Sequence, residues 1–226
     1  NWMPSMTADI KAYTDDKSVE TIGVNLDGAG YGLVVPQYVA DAGIKSLKDL
    51  SANKDKFNGK FYGIESGNDG NRIIQTMIDD AKNNLAGFEL VESSEAGMLT
   101  EAEKAMKNNE WILFLGWTPH PIMGDMKIHY LDGVSEYGFG GATVHTNVRA
   151  GYLTECPNAG KLVSNLKFSL AMEGAMMAPV LKDGADPKVV ALDWIKANPD
   201  SIKTWLDGVT TLDGGDAMAA VSAAIK

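Results

Sequence analysis

Hydrophobic positions come first in short runs broken by Gly, Pro and Asn, and later in longer runs with helical spacing. The short runs at 21–24, 31–35, 60–64, 88–91, 112–115, 127–131 and 143–148 read as strands. Pro36 stops the second of these, because proline cannot continue a ladder. Helices fall between them: one from Pro4 to about Tyr13, turns at 39–42 and 46–50, and one carrying Ile73, Ile74, Met77 and Ile78. A further amphipathic helix at 94–108 turns Met98, Leu99 and Met106 inward and Glu101, Glu103, Lys104 and Lys107 to water. From Gly160 onward the pattern is helical, at 162–173, 174–181 and 187–197, with Pro199 opening a last pair. Alternating strands and helices followed by a helix-rich end predict an α/β fold of two lobes. The Gly-rich stretch 25–30 and the break at 116–121 are the expected crossings between them. Residues 1–25 and 120–226 then belong to one lobe and 26–119 to the other.

A chain of 226 residues with 45% hydrophobic and 22% charged positions is ordinary globular material. A net charge of -10 argues against nucleic acid or an anionic membrane as partner. The apolar runs are too short and too interrupted to span a bilayer. The chain opens on Asn1-Trp2 without a basic leader, as expected of a fragment or a processed chain. The single cysteine, Cys156, has no internal partner and is expected to be an unpaired thiol near the surface.

Catalytic constellations are missing from the pattern. There is no Gly-x-Ser-x-Gly elbow, and His120, His129 and His145 lack zinc-ligand spacing. What recurs instead is an aromatic beside Gly or Pro. Trp2 sits in Asn1-Trp2-Met3-Pro4, Tyr31 in Gly28-Ala29-Gly30-Tyr31-Gly32, and Trp117 follows Gly116 ahead of Pro119 and Pro121. The run 112–115 breaks at Gly116, so Trp117 is expected just past a strand's carboxyl end, where open α/β sheets place ligand contacts. The stretch Glu65-Ser66-Gly67-Asn68-Asp69-Gly70-Asn71 reads as a loop entering a helix, whose free backbone N–H groups attract oxygen ligands. It is neither a P-loop nor a Rossmann fingerprint, and Asn68 or Asp69 also serves as a helix cap there.

Four motifs carry a family resemblance. They are Asn1-Trp2-Met3-Pro4-Ser5-Met6, the run from Tyr62 to Arg72, Leu115-Gly116-Trp117-Thr118-Pro119-His120-Pro121, and the run from Gly140 to Arg149. In this order they resemble the choline/glycine-betaine substrate-binding proteins of ABC importers, and within these the periplasmic choline-binding proteins of rhizobial type. The resemblance implies a two-lobed type II periplasmic binding protein fold that closes over its ligand. It implies an N-terminal strand–helix–strand segment ahead of Asn1, with a further box tryptophan, an aspartate and a cysteine that would pair with Cys156.

The resemblance also assigns roles. Trp2, Tyr31 and Trp117 become walls of an aromatic box, and Asn68 a contact to the ligand's hydroxyl end. Physical chemistry agrees. A quaternary ammonium cannot donate a conventional hydrogen bond, and aromatic faces supply dispersion and a negative quadrupole, each contact giving about 0.5 to 2 kcal/mol. The expectation is a periplasmic binding module, not an enzyme, without cofactor, that delivers choline to a membrane permease. It is expected to be a monomer unless the N-terminal segment is exchanged between chains. Glycine betaine, another betaine or acetylcholine is the alternative ligand, with Arg72 the nearest cation for a carboxylate, and a choline-ester hydrolase is the alternative of a different class.

Overall fold

The computed structural model describes residues 1–225. Among these, seven strands form one sheet: β1 (Trp2–Met3), β2 (Val19–Pro36), β3 (Lys60–Tyr62), β4 (Glu89–Val91), β5 (Phe114–Thr118), β6 (Ile128–Tyr130) and β7 (Gly140–Arg149). Their order is β1-β7-β2-β5-β3-β4, with β6 also on β2. The pairs of β2 with β5, β6 and β7 are antiparallel, whereas β3 runs parallel to β4 and β5. The architecture is the α/β one that the alternation predicts.

Three local expectations are corrected. The stretches 21–24 and 31–35 are parts of one 18-residue strand, β2, and not separate strands. The Gly-rich stretch between them stays paired to β7 because bulges absorb it, with register shifts at Thr21/Gly23, Val24/Leu26 and Leu26/Ala29. Trp2 and Met3, outside every strand that the pattern predicts, pair with Val144 and Thr143 of β7. Helix 162–173 is interrupted: one helix is Pro157–Asn165 and the next is Leu170–Asp183. Apolar spacing runs through the break, but Phe168 N–H leaves the helix to donate to Asn25 O at 2.7 Å. Ser169 then caps the following helix by accepting from Met172 N–H.

β5 also departs from the reading of a strand broken at Gly116. It runs through Gly116 and Trp117 to Thr118, where Pro119 ends it. Gly116 is not a stop but a space: a Cβ there would stand 2.6 Å from a methyl of Val34 on β2. Glycine therefore lets β5 lie close on β2 and carry Trp117 inside the ladder.

The main core holds Leu33, Phe57, Phe61, Ile74, Met77, Met98 and Phe114, all sealed from water. Met123, Leu131, Val134 and Phe139 join the same cluster from beyond β5, and β6 pairs with β2 beside them. A second, small cluster consists of Leu26, Ala29 and Ala142, with Trp2, Val144, Phe168 and Leu170 packed against it. The two clusters meet where β2 and β7 pair Ala29 with Ala142, Gly30 with Gly141 and Tyr31 with Gly140.

Candidate functional site

Trp2, Tyr31, Asn68 and Trp117 line one cavity of about 250 Å³, together with Met6, Ile64 and Asp69. Sheet register brings the aromatics there. Tyr31 on β2 lies directly opposite Trp117 on β5, and directly opposed residues share a face. Trp2 arrives from the other direction, held by the β1–β7 pairing and by Asn1, whose backbone O accepts from His145 N–H at 2.8 Å. Tyr31 is the buried centre. Its ring is edge-on to Trp2 at 6.2 Å, to Trp117 at 6.4 Å and to Phe139 at 5.1 Å. The tryptophans flank it, half-buried, so aromatic surface is left for a ligand.

The polar end is the start of the helix Asp69–Asp79. Asn68 is its N-cap: Asn68 Oδ1 accepts from Gly70 N–H at 2.8 Å and from the Tyr31 hydroxyl at 2.9 Å. With both bonds on that oxygen, the two N–H groups of Asn68 Nδ2 have no partner among the described residues. Asp69 Oδ2 is buried and likewise without a hydrogen-bond partner. Burial first, and the nearby Asp69 charge second, push the Tyr31 phenol far above the ordinary tyrosine range. Tyr31 therefore stays a donor to Asn68 and fixes which way the amide faces. The fit leaves no slack, since a Cβ on Gly70 would stand 2.0 Å from the Tyr31 oxygen. The cavity thus pairs an aromatic end with the polar residues Asn68 and Asp69 at the other.

Arg72, one turn further along the helix, is already engaged. Its two terminal nitrogens donate to the two Asp9 oxygens at 2.8 and 2.6 Å. Behind Trp117, its backbone N–H donates to Met123 Sδ at 3.3 Å, and the His120 ring lies edge-on at 5.0 Å. Cys156 is unpaired and half-buried, at the start of the helix Pro157–Asn165 and away from the cavity lining.

Four of these lining residues, Trp2, Tyr31, Asn68 and Trp117, stand out in the sequence, and three do not. Met6 and Ile64 carry no chemical signal in one sequence, since an isolated apolar residue on a turn or strand end looks like core. Asp69 does carry a signal, as a carboxylate next to a second capping candidate at a helix start. Two adjacent polar residues at a helix start cannot both be the N-cap, and here Asn68 takes that place.

Comparison with known proteins gives the chain a family. A family model described as the substrate-binding domain of ABC-type glycine betaine transport systems matches residues 1–197. The glycine betaine/carnitine transport binding protein GbuC of Listeria monocytogenes is 32% identical over 174 residues, which is 76% of this chain and 58% of that protein. The chain therefore spans less than two thirds of this curated relative. A solved ABC-transporter choline-binding protein in complex with choline is 54% identical, with a TM-score of 0.95, over 100% of this chain and 79% of that one. An ABC-transporter choline-binding protein in an unliganded, semi-closed conformation gives the same identity and coverage with a TM-score of 0.89.

Proposed function

The chain belongs to the family of substrate-binding domains of ABC-type glycine betaine transport systems, and from that premise we propose that it captures choline for an ABC importer. The observation that carries the choice is the pair at the polar end: a buried, unpartnered Asp69 Oδ2 beside an unpartnered Asn68 amide N–H. A hydroxyl donates one hydrogen bond and accepts others, so it answers both groups at once. A betaine carboxylate only accepts. It would meet Asn68 well but would stand against the Asp69 charge, and burying two like charges together is costly. Arg72, the cation that would rescue it, is already held by Asp9.

The trimethylammonium end fits Trp2, Tyr31 and Trp117. Its methyls gain apolar contact and its charge gains the ring quadrupoles, without asking for a hydrogen bond it cannot make. The 54% identity to a choline-binding protein solved with choline supports the same reading. In this reading Trp2, Tyr31, Asn68, Asp69 and Trp117 hold the ligand, and the chain performs no chemistry on it. The working cycle is closure and release: two lobes shut on choline, and the closed form docks on a membrane permease outside the cytoplasm, as a monomer.

The lobe division follows the same reading. Residues 26–119 are centred on one lobe, and 1–25 with the C-terminal helices on the other. Packing of Met123, Leu131, Val134 and Phe139 into the main cluster favours placing the second hinge strand at the start of β7, where Gly140 and Gly141 face Tyr31 and Gly30.

Calorimetry with choline, glycine betaine and tetramethylammonium tests the proposal. Choline is expected to bind tighter than betaine, and Asp69→Asn to narrow that gap by removing the repelling charge. Asn68→Ala is expected to weaken choline more than tetramethylammonium, which has no hydroxyl. Betaine binding tighter than choline overturns the proposal, and equal losses in Asn68→Ala reduce Asn68 to a helix cap. Incubation with acetylcholine is expected to yield no hydrolysis product.

A further inference from the structure

Deepening the choline reading and resting on it, we propose that His120, locked by Glu95, is the positioning residue that sets the Trp117 wall of the cavity. The His120 side chain is wholly buried although it is a titratable group and lines no part of the cavity. Both of its ring nitrogens are in use. Nδ1 accepts from Met123 N–H at 3.1 Å, which caps the short helix Pro121–Asp125. With Nδ1 an acceptor, Nε2 carries the hydrogen and donates to Glu95 Oε1 at 3.0 Å. The two bonds fix the imidazole plane, and that plane meets Trp117 edge-on, 5.0 Å between centroids at 82°.

The ladder holds the Trp117 backbone, and the His120 ring is the nearer of the two aromatic neighbours that hold the Trp117 ring. Trp117 is the penultimate residue of β5, ahead of Pro119, and is half-buried with its other aromatic neighbour, Tyr31, at 6.4 Å. Glu95 ties the buttress to the polar end as well. It is the first residue of the helix Glu95–Lys107, and its backbone N–H donates to Glu65 Oε1 at 3.1 Å. Glu65 lies in the loop leading to Asn68, and that loop is pinned by the buried Asn71, whose amide donates to Glu65 O at 3.1 Å. One line of bonded groups therefore relates the tryptophan that meets the cation to the loop that meets the hydroxyl.

The test combines binding with a signal from Trp117 itself. His120→Asn keeps a side chain suited to capping Met123 N–H but removes the ring and its reach to Glu95. It is expected to weaken choline and tetramethylammonium by the same factor, about tenfold, the size of a lost edge-to-face aromatic contact. It is expected to have no further effect in a Trp117→Ala background. The near-ultraviolet circular dichroism band of Trp117, defined by the difference between the parent and Trp117→Ala, should shrink in His120→Asn without ligand. An equal loss with and without Trp117, or an unchanged band, overturns the proposal.

If His120→Asn does not fold, Glu95→Gln serves, since it keeps an acceptor at a half-exposed helix start. It is expected to give the same changes at smaller size, and an unchanged band there overturns the proposal too. A parent protein that binds no choline would instead sink the function proposed above, while the dichroism arm still judges whether His120 sets Trp117.

Discussion

The region from Tyr31 to Phe139 and the region formed by the chain's two ends contain similar helices but bury them very differently. In the first, the helices Asp69–Asp79 and Glu95–Lys107 seal Ile74, Met77 and Met98 completely. In the second, the helices Leu170–Asp183 and Pro187–Ala197 have no buried residue, and Val189 and Leu192 are 55% and 39% exposed. Apolar content alone does not make a core; partners on the facing layer do. The cavity inherits the asymmetry. Tyr31, Ile64, Asn68, Asp69 and Trp117 come from the well-packed region, and Trp2 and Met6 from the other. One wall is thus held by a dry core before ligand arrives, while the other rests on the pairing of β1 with β7. Rigid walls lose less entropy on binding, so the packed side should deliver more affinity per contact.

The largest expected effect strikes that comparison at its root. Phe114→Ala empties a fully buried site and is expected to cost about 3 to 5 kcal/mol of folding stability. Leu192→Ala should cost about 0.5 kcal/mol or less, as surface positions do. Denaturant midpoints measure both, and a Leu192 loss as large as that of Phe114 would mean that this helix face is covered in solution. Next in size come the cavity walls. Trp117→Ala is expected to weaken choline by about 2 kcal/mol or more, since it removes a cation–π face and desolvated wall area together. Trp2→Ala should cost less, about 1 kcal/mol, because part of its contact is spent on fixing its own strand. Calorimetry that ranks Trp2 above Trp117 would break the link between packing and affinity.

Gly70→Ala sharpens the picture from the polar side. Its Cβ has no room beside the Tyr31 oxygen, so the phenol must shift and release Asn68. Choline affinity is expected to fall by about 1 kcal/mol, the worth of an ordinary hydrogen bond, with a smaller change for tetramethylammonium. Equal changes for the two ligands would show that Tyr31 acts only as a ring and not through its hydroxyl.

These positions also show what one sequence reveals. Trp117, Tyr31 and Trp2 are legible as candidates because each stands beside Gly or Pro, although Tyr31 and Trp117 lie within strands and not on turns. Asn68 was legible as a cap. The helix at 94–108 was read almost to its observed ends because its stripe is strong and Ser94 caps it. What stayed hidden depends on partners far away in sequence. Gly116 reads as a break until Val34 is placed against it. The bulges that keep the Gly-rich run of β2 paired to β7 depend on a partner more than a hundred residues away. The Glu95–His120 bond joins residues 25 positions apart and has no local pattern at all.

The smallest expected effect concerns the bridge between the two regions. Asp9 lies on the helix Thr7–Asp15, which follows β1 and Met6, and Arg72 lies one turn past Asp69. Their two-pronged contact therefore ties the loosely buried side of the cavity to the packed side. Both side chains are partly exposed, so the pair should contribute about 0.2 to 1 kcal/mol and be screened by salt. Arg72→Gln is expected to speed choline release by about two- to fivefold at low ionic strength, because the ligand leaves when the two sides part. Stopped-flow tryptophan fluorescence follows that release. Near about 0.5 M salt the parent and the variant should converge, since a screened pair no longer holds the sides together. A difference that persists undiminished at high salt would assign Arg72 a packing role and leave the loosely buried side held by β1 alone.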